Sequence, residues 1–120
     1  MPLLLMKGRL KMPSSKPVII TTTAPDRAEA EKIGGLLLSE QLAACVQYDE
    51  IRSQYVWDGE IRTDSEIRIT IKTTRNRYGK IEKLIRQHHS YDCPQILMVT
   101  VSRGFKPYLA WLRNASGQGG

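Results

Sequence analysis

Four side chains in this sequence carry the nitrogen and sulfur atoms that hold copper or zinc in proteins: the adjacent His88 and His89, and the cysteines Cys45 and Cys93. Because neighbouring residues of a helix point about 100° apart, the two imidazoles cannot easily hold one ion together. The paired ligand couples that mark a structural zinc site are also missing. We therefore interpret His88 as a core-side residue and His89 as a solvent or interface residue. The alternative is a weak metal site at either histidine, completed by another subunit.

The patterns that resident catalysis requires are missing from the sequence. Cys93 follows the histidines closely, but the segment matches no known nucleophile signature. Neither of the phosphate-binding loops G-x-x-x-x-G-K-[ST] and G-x-G-x-x-G occurs. An acylphosphatase-like site would need an arginine in the loop after the first strand. That loop instead places Asp26 where an anion would sit, and Arg27 is the only arginine close by. We therefore predict that the protein is not an enzyme.

The composition argues against nucleic acid and membrane partners. The formal net charge is +6, but the cations are dispersed along the chain rather than stacked in one block. RNA-recognition modules stack bases on aromatic side chains of their central strands, and the predicted first and fourth strands contain none. No apolar run approaches the roughly 20 residues of a membrane-spanning helix. With two cysteines and no secretion signal, we predict a cytoplasmic protein with reduced thiols.

The first half of the chain predicts a strand, a helix and a long hairpin. The β-branched segment 17–23 is the first strand, and Thr23 or Asp26 then caps a helix. Gly34 and Gly35 weaken that helix but permit close packing on a sheet. A long strand runs over 42–57, bent or bulged around Asp49, and Asp58-Gly59 predicts the hairpin turn. The apolar residues at helical spacing that should face the core are Ala30, Ile33, Leu37 and Leu38.

The second half predicts a strand, a helix, a strand and a short terminal helix. Ile67, Ile69 and Ile71 alternate with polar residues, which is typical of a strand with one buried face. The segment 74–88 predicts a helix with one apolar stripe. The nearly continuous apolar segment 95–102 is expected at the centre of a sheet, and residues 105–115 predict the terminal helix.

This order predicts the α+β class, as a ferredoxin-like βαββαβ sandwich with a long β2-β3 hairpin and a short C-terminal helix. The predicted domain spans residues 17–115. We expect residues 1–16 to form a flexible tail and residues 116–120 a disordered one. Because this fold carries many unrelated activities, the function must be sought in particular sites.

Aromatic residues at the ends of the predicted elements are candidates for an interface or a pocket. Tyr55 and Trp57 end the long strand beside the hairpin turn, and Tyr91 and Trp111 lie near other element ends. The alternative is that they cap the core of a single chain.

Several ordered motifs resemble the divalent-cation tolerance protein family CutA, from about Val18 to Ala115. The resemblance implies a ferredoxin-like subunit in a tight homotrimer whose long hairpins pair between subunits. It also implies a role in tolerance to copper and other divalent cations, in a build similar to the trimeric PII signalling proteins. The motifs are Thr23-Ala24-Pro25-Asp26, Leu42-Ala43-Ala44-Cys45, 53–61, Glu66 with 71–74, 88–96 and 108–112.

The resemblance also implies which residues act. Copper ligands carry over as Glu66 with His88 or His89, whereas the family's strand cysteine is replaced here by Thr22. Gln95 likewise stands where many members have glutamate. We expect divalent-metal binding, with a PII-like sensor or protein scaffold as the alternative function. In that alternative a small anionic ligand or a partner protein binds between subunits. The residues expected to line that cleft are Tyr55, Trp57, Lys72, Tyr91 and Trp111.

Overall fold

The computed structural model describes residues 15–118. The predicted order of elements is confirmed. The strands are β1 (Pro17–Ala24), β2 (Cys45–Trp57), β3 (Glu60–Thr74) and β4 (Ile96–Thr100), and the helices are α1 (Arg27–Ser39), α2 (Tyr78–His88) and α3 (Lys106–Arg113). A 3-10 turn, Arg75–Arg77, precedes α2, so the predicted helix over 74–88 begins as a tighter turn.

One four-stranded antiparallel sheet has the order β2-β3-β1-β4, which is the predicted ferredoxin-like arrangement. The prediction that the apolar segment 95–102 forms a central strand is wrong, because β4 pairs with β1 alone and lies at the edge. Its outward residues Leu97 and Val99 are therefore 59% and 58% exposed. An apolar run therefore gives neither the strand's place in the sheet nor the burial of both its faces.

Helix α1 packs on the sheet through a narrow apolar stripe. Of the two predicted caps, the structure uses Asp26, whose carboxylate accepts a hydrogen bond from the Glu29 backbone N–H at 2.9 Å. Ala30, Ile33 and Leu37 are fully buried. The expectation for Leu38 is wrong: it is 45% exposed, since the buried stripe comprises Ala30, Ile33, Gly34 and Leu37, and Leu38 lies at its border.

Gly34 is the closest point of approach between α1 and the sheet. A Cβ at this position would collide with the Tyr48 hydroxyl and stand 3.0 Å from Val46 Cγ1. A Cβ on Gly35 would have no neighbouring atom within 4 Å. The predicted close packing is therefore confirmed for Gly34 alone.

The β2-β3 hairpin is regular from end to end. Asp58 and Gly59 form its turn with φ of 53° and 77°, the left-handed conformations that a two-residue hairpin turn requires. The strand contains no bulge around Asp49, because residues pair one to one from Cys45↔Lys72 to Trp57↔Glu60. Asp49 instead receives two hydrogen bonds from Arg68, its directly opposite partner, at 3.1 and 2.8 Å.

The hairpin projects beyond the rest of the sheet. β1 ends at Ala24, opposite Ile67, so the first seven residues of β3 pair with β2 alone. The molecule is accordingly elongated, with extents of 59 × 29 × 28 Å. Near the hairpin tip, Val56, Trp57 and Ile61 are 60–77% exposed.

The core lies between the sheet and helices α1 and α2. Its alternating β3 residues are Ile67, Ile69 and Ile71, as predicted. Helix α3 instead contacts β1 and β3 from the other face, where Lys72 approaches the Tyr108 ring. The α2 residues of the core are Ile81, Leu84 and Ile85.

The chain end is anchored as far as Gly117. Ser116 is fully buried, and its hydroxyl donates to the Leu112 carbonyl at 2.7 Å. Arg77 donates to the carbonyls of Ser116 and Gly117 at 3.0 and 2.8 Å. The expected disorder over 116–120 therefore does not begin at Ser116. Residues 119–120, and residues 1–14 of the expected N-terminal tail, lie outside the described residues.

None of the helices within residues 15–118 is both long and apolar enough to cross a membrane.

Candidate functional site

His89 lies at the centre of the segment that follows α2. Its side chain is 0% exposed, so the expectation of a solvent or interface residue is wrong. The imidazole Nε2 lies 2.6 Å from the Thr23 carbonyl oxygen, and Nδ1 accepts the Tyr91 backbone N–H at 3.0 Å. A carbonyl can only accept, so Nε2 carries the proton and Nδ1 the lone pair. Both ring nitrogens are therefore engaged in a neutral imidazole.

Glu29 holds the next residue of this segment from the first turn of α1. Its Oε2 accepts from the Ser90 backbone N–H at 2.9 Å and from the Ser90 hydroxyl at 3.1 Å. The same oxygen lies 3.3 Å from His89 Nδ1. The segment after α2 is thus tied both to the end of β1 and to the start of α1.

Tyr91 carries this segment across to β3. Its ring lies 4.7 Å from the His89 ring, centroid to centroid, and its hydroxyl donates to Glu66 Oε2 at 3.0 Å. Burial, followed by the Glu66 hydrogen bond and charge, raises the pKa of Tyr91 well above the ordinary tyrosine range. The phenol therefore keeps its proton and remains a donor to Glu66.

A second phenol–carboxylate pair lies beside the first. The Tyr55 hydroxyl donates to Asp64, and this hydrogen bond raises the pKa of Tyr55. Asp64 and Glu66 are two residues apart on β3, so they share one face of the strand. We call these four residues, Tyr55, Asp64, Glu66 and Tyr91, the tyrosine–carboxylate cluster.

An open groove of about 350 Å³ borders the cluster at Glu66. It lies just past the end of β1, where β3 has lost its β1 partner. Its walls combine apolar side chains with two carboxylates and a guanidinium. The lining residues are Pro25, Glu50, Ile51, Arg52, Ser65, Glu66 and Ile67.

No hydrogen bond or ion pair joins the predicted metal ligands His88, His89 and Glu66 to one another among residues 15–118. His88 is half-buried, and its side chain makes no hydrogen bond or ion pair in the described part of the chain. Within residues 15–118, no group of three or more His, Cys, Asp or Glu side chains could hold a metal ion. Among the predicted ligands, Glu66 Oε1 and the His88 imidazole are the groups without a hydrogen-bond partner in the described part of the chain.

The cysteines and Thr22 add no further ligand to that set. Cys45 and Cys93 are both free thiols, half-buried and exposed respectively. Thr22 is fully buried in the core, and among the described residues its hydroxyl has no hydrogen-bond partner. A hydroxyl at this position supplies no soft thiolate donor.

The residues predicted to line a cleft occupy three places in the chain. Tyr55 and Tyr91 belong to the tyrosine–carboxylate cluster, and Trp57 lies at the hairpin tip. Lys72 and Trp111 both lie beside Tyr108, with Lys72 Nζ 5.8 Å from the Tyr108 ring centroid. The Tyr108 and Trp111 rings are 5.5 Å apart. We call Lys72, Tyr108 and Trp111 the aromatic platform.

Sequence reasoning missed three of these residues. Asp64 could have been found from the two-residue period of β3, which places it on the Glu66 face. Tyr108 could have been found from its helical spacing to Trp111. No sequence signal links Glu29 to Ser90, which are 61 residues apart.

The comparison with protein families agrees with the resemblance seen in the motifs. The family model described as CutA1 divalent ion tolerance protein matches residues 18–115. This chain belongs to the CutA1 family. The divalent-cation tolerance protein CutA of Yersinia pestis (strain Pestoides F) is 36% identical over 103 residues, covering 85% of this chain and 86% of the relative.

Solved CutA structures share the fold. The periplasmic divalent cation tolerance protein CutA from Archaeoglobus fulgidus superposes with a TM-score of 0.81 at 33% identity, covering 83% of this chain and 98% of that one. CutA1 from Oryza sativa superposes with a TM-score of 0.80 at 30% identity, covering 85% of this chain and 96% of that one. CutA1 from Pyrococcus horikoshii superposes with a TM-score of 0.77 at 35% identity, covering 82% of this chain and 96% of that one. The match therefore includes nearly all of each neighbour.

Proposed function

We propose that this member of the divalent-cation tolerance family binds a divalent cation, with copper the leading ion, at the Glu66 side of the groove. The observation that carries the proposal is the Tyr91–Glu66 hydrogen bond. It occupies Oε2 of the carboxylate, while Oε1 accepts no hydrogen bond from the described residues, and Glu66 is one of the residues that line the groove. The half-buried Tyr91 phenol keeps its proton, so it acts as a hydrogen-bond donor to Glu66 and leaves the carboxylate available to a cation.

His88 is the second donor in this proposal. Its imidazole has no partner in residues 15–118, and a neutral imidazole nitrogen suits copper and zinc. Two donors do not complete a copper or zinc site. The missing ligands then come from another copy of the chain, so the cation site belongs to the oligomer.

A homotrimer would supply such a second copy. Two features support association: the hairpin extends beyond the sheet with apolar residues at its tip, and β4 exposes Leu97 and Val99 at a free edge. Large apolar side chains and unpaired strand edges are typical of surfaces that another chain covers. In this proposal the hairpin strands of neighbouring subunits pair with one another.

We propose that the protein acts in the cytoplasm by binding the cation, and that it does not catalyse a covalent reaction. Neither cysteine side chain makes a hydrogen bond to a histidine or a carboxylate in the described part of the chain. A cysteine nucleophile requires such a base.

Calorimetric titration of metal-free protein with copper(II) and zinc(II), with light scattering to follow the assembly, tests the proposal. Glu66→Gln and His88→Ala should each weaken copper binding about tenfold or more while leaving the assembly intact. The matched controls are Glu60→Gln, on the same strand, and Gln87→Ala, the exposed neighbour of His88. Equal affinities in wild type and both test variants would refute the proposed site.

The second candidate is a small anionic ligand on the aromatic platform. Lys72 offers an ammonium group, and the exposed Tyr108 and Trp111 rings offer a flat apolar surface beside it. Tryptophan fluorescence during titration with ATP and with inorganic phosphate tests this candidate. Lys72→Met should abolish the response of Trp111 without any requirement for metal. A response that persists in Lys72→Met would exclude this site.

A further inference from the structure

The structure separates the two adjacent histidines by role. A metal ion at His89 Nδ1 would have to displace the Tyr91 N–H, and one at Nε2 would have to displace the Thr23 carbonyl. Both exchanges would take place around a side chain that solvent does not reach. His88, one residue earlier, has neither restraint. His89 is therefore poorly suited to ligate a metal, although its residue type and its position next to His88 suggest it.

His89 links the end of β1 to Tyr91: its Nε2 lies 2.6 Å from the Thr23 carbonyl oxygen. Its Nδ1 fixes the Tyr91 backbone at 3.0 Å, and its ring supports the Tyr91 ring at 4.7 Å. Glu29 fixes the intervening Ser90 through both its backbone N–H and its hydroxyl. His89 and Ser90 are thus held to β1 and α1, Tyr91 is held by His89, and the Tyr91 hydroxyl meets Glu66 on β3.

We infer that His89 and Glu29 are positioning residues, which hold Tyr91 so that its hydroxyl orients the Glu66 carboxylate toward the groove. This inference rests on the proposed cation site and adds to it which residues control its geometry. Partners that orient a metal-binding carboxylate without touching the ion commonly change metal affinity by about 10–100-fold when they are removed. Neither residue has been assigned this role by the sequence motifs, which treat His89 as a ligand and do not use Glu29.

Replacing His88 and His89 separately by asparagine distinguishes a metal ligand from a positioning residue. Asparagine lacks the imidazole, but its Oδ1 can accept the backbone N–H two residues later, as His89 Nδ1 does. His89→Asn should therefore retain copper(II) affinity, whereas His88→Asn should lose about tenfold or more. His89→Ala, which lacks the acceptor, should also lose affinity. If His89→Asn weakens copper binding as much as His88→Asn, with unchanged thermal stability, then His89 is a ligand and the inference is wrong.

Glu29 has its own matched pair. Glu29→Gln keeps an oxygen for the Ser90 N–H and should bind copper(II) nearly as wild type, whereas Glu29→Ala should resemble His89→Ala. Equal losses in Glu29→Gln and Glu29→Ala would show that the Glu29 charge itself matters, which contradicts a purely positional role.

A readout without metal separates this inference from the proposed function. Absorbance titration of tyrosine ionisation reports whether the Tyr91 hydroxyl still donates to Glu66. The Tyr91 transition should move to lower pH in His89→Ala and stay in place in His89→Asn. If Glu66→Gln leaves copper binding unchanged, the proposed cation site fails, but the positioning of Tyr91 by His89 still stands when this titration behaves as expected. An unchanged Tyr91 transition in His89→Ala overturns the positioning role.

Discussion

The Tyr91 hydroxyl and Glu66 Oε2 meet at 3.0 Å, although 25 residues separate them in the chain. The contact joins the segment after α2 to the part of β3 that β1 no longer covers. It joins a residue that was predicted to line a cleft, Tyr91, to one that was predicted to bind metal, Glu66.

The first prediction concerns the ionisation of Tyr91. Burial is the largest cause of its raised pKa, followed by the hydrogen bond and charge of Glu66. Glu66→Gln removes the charge but keeps an acceptor, so the pKa should fall while staying above that of an ordinary tyrosine. Ultraviolet titration of tyrosinate measures the change, and Tyr91→Phe identifies the transition. An unchanged transition in Glu66→Gln would show that Glu66 does not influence Tyr91.

Alkaline pH should destabilise the fold, because it ionises tyrosines whose pKa is raised in the folded state. A raised pKa means that the folded state binds the proton more tightly than the unfolded state. The resulting stability is fully present below the unfolded pKa of about 10 and is lost as the pH rises above it. Thermal unfolding from neutral to strongly alkaline pH should show this fall, and Tyr91→Phe should make it shallower. The tyrosines with raised pKa are Tyr48, Tyr55, Tyr78 and Tyr91.

Gly34→Ala should destabilise the protein, whereas Gly35→Ala should not. A methyl group at Gly34 meets the Tyr48 ring and Val46, and such overpacking costs about 1–3 kcal/mol. At Gly35 there is open space, so the alanine should add about 0.5–1 kcal/mol of stability through helix propensity. Chemical denaturation of both variants measures the difference. Tyr48→Phe in the Gly34→Ala background should recover part of the loss, and equal stabilities of Gly34→Ala and Gly35→Ala would contradict the close approach.

Thr22→Val should stabilise the fold by about 1 kcal/mol, since it replaces a buried hydroxyl that has no partner in the described part of the chain by a methyl group of similar size. Thr22→Ser is the control, because it keeps the hydroxyl and loses the methyl group, and it should be less stable than wild type. Differential scanning calorimetry measures both. A less stable Thr22→Val would mean that the hydroxyl has a partner after all.

Arg77→Ala should loosen the end of the chain. Two hydrogen bonds from the guanidinium hold the Ser116 and Gly117 carbonyls, and their loss should cost about 1–3 kcal/mol. Arg77→Lys should recover little of the lost stability, because an ammonium group lacks the planar pair of N–H donors with which the guanidinium reaches both carbonyls. Limited proteolysis with mass analysis should show faster trimming from the C-terminus, with the exposed Arg86→Ala as control. Trimming at the wild-type rate would contradict the anchoring role.

The sequence alone was enough for the element order, the hairpin turn and the family. Asp58-Gly59 required a two-residue turn, because only small or polar residues readily adopt left-handed φ at both positions. The two-residue period of Ile67, Ile69 and Ile71 and the helical spacing of Ile81, Leu84 and Ile85 identified buried faces, since periodicity records which side of an element avoids water. These signals are local, so they can be read without knowing where the rest of the chain lies.

Only the tertiary structure decided which of two adjacent histidines is buried, that β4 lies at the edge of the sheet, and that Tyr91 reaches Glu66. His89 caps the end of α2 in an extended conformation, which turns its ring inward away from the helical stripe. The place of β4 follows from pairing with β1, and pairing between distant segments leaves no periodic trace in either one. The contacts of Tyr91 with Glu66 and of Glu29 with Ser90 depend on how the segment after α2, which has no periodic pattern, packs against α1 and β3. Local residue patterns predict the faces of elements, whereas contacts between elements arise only when the whole chain packs.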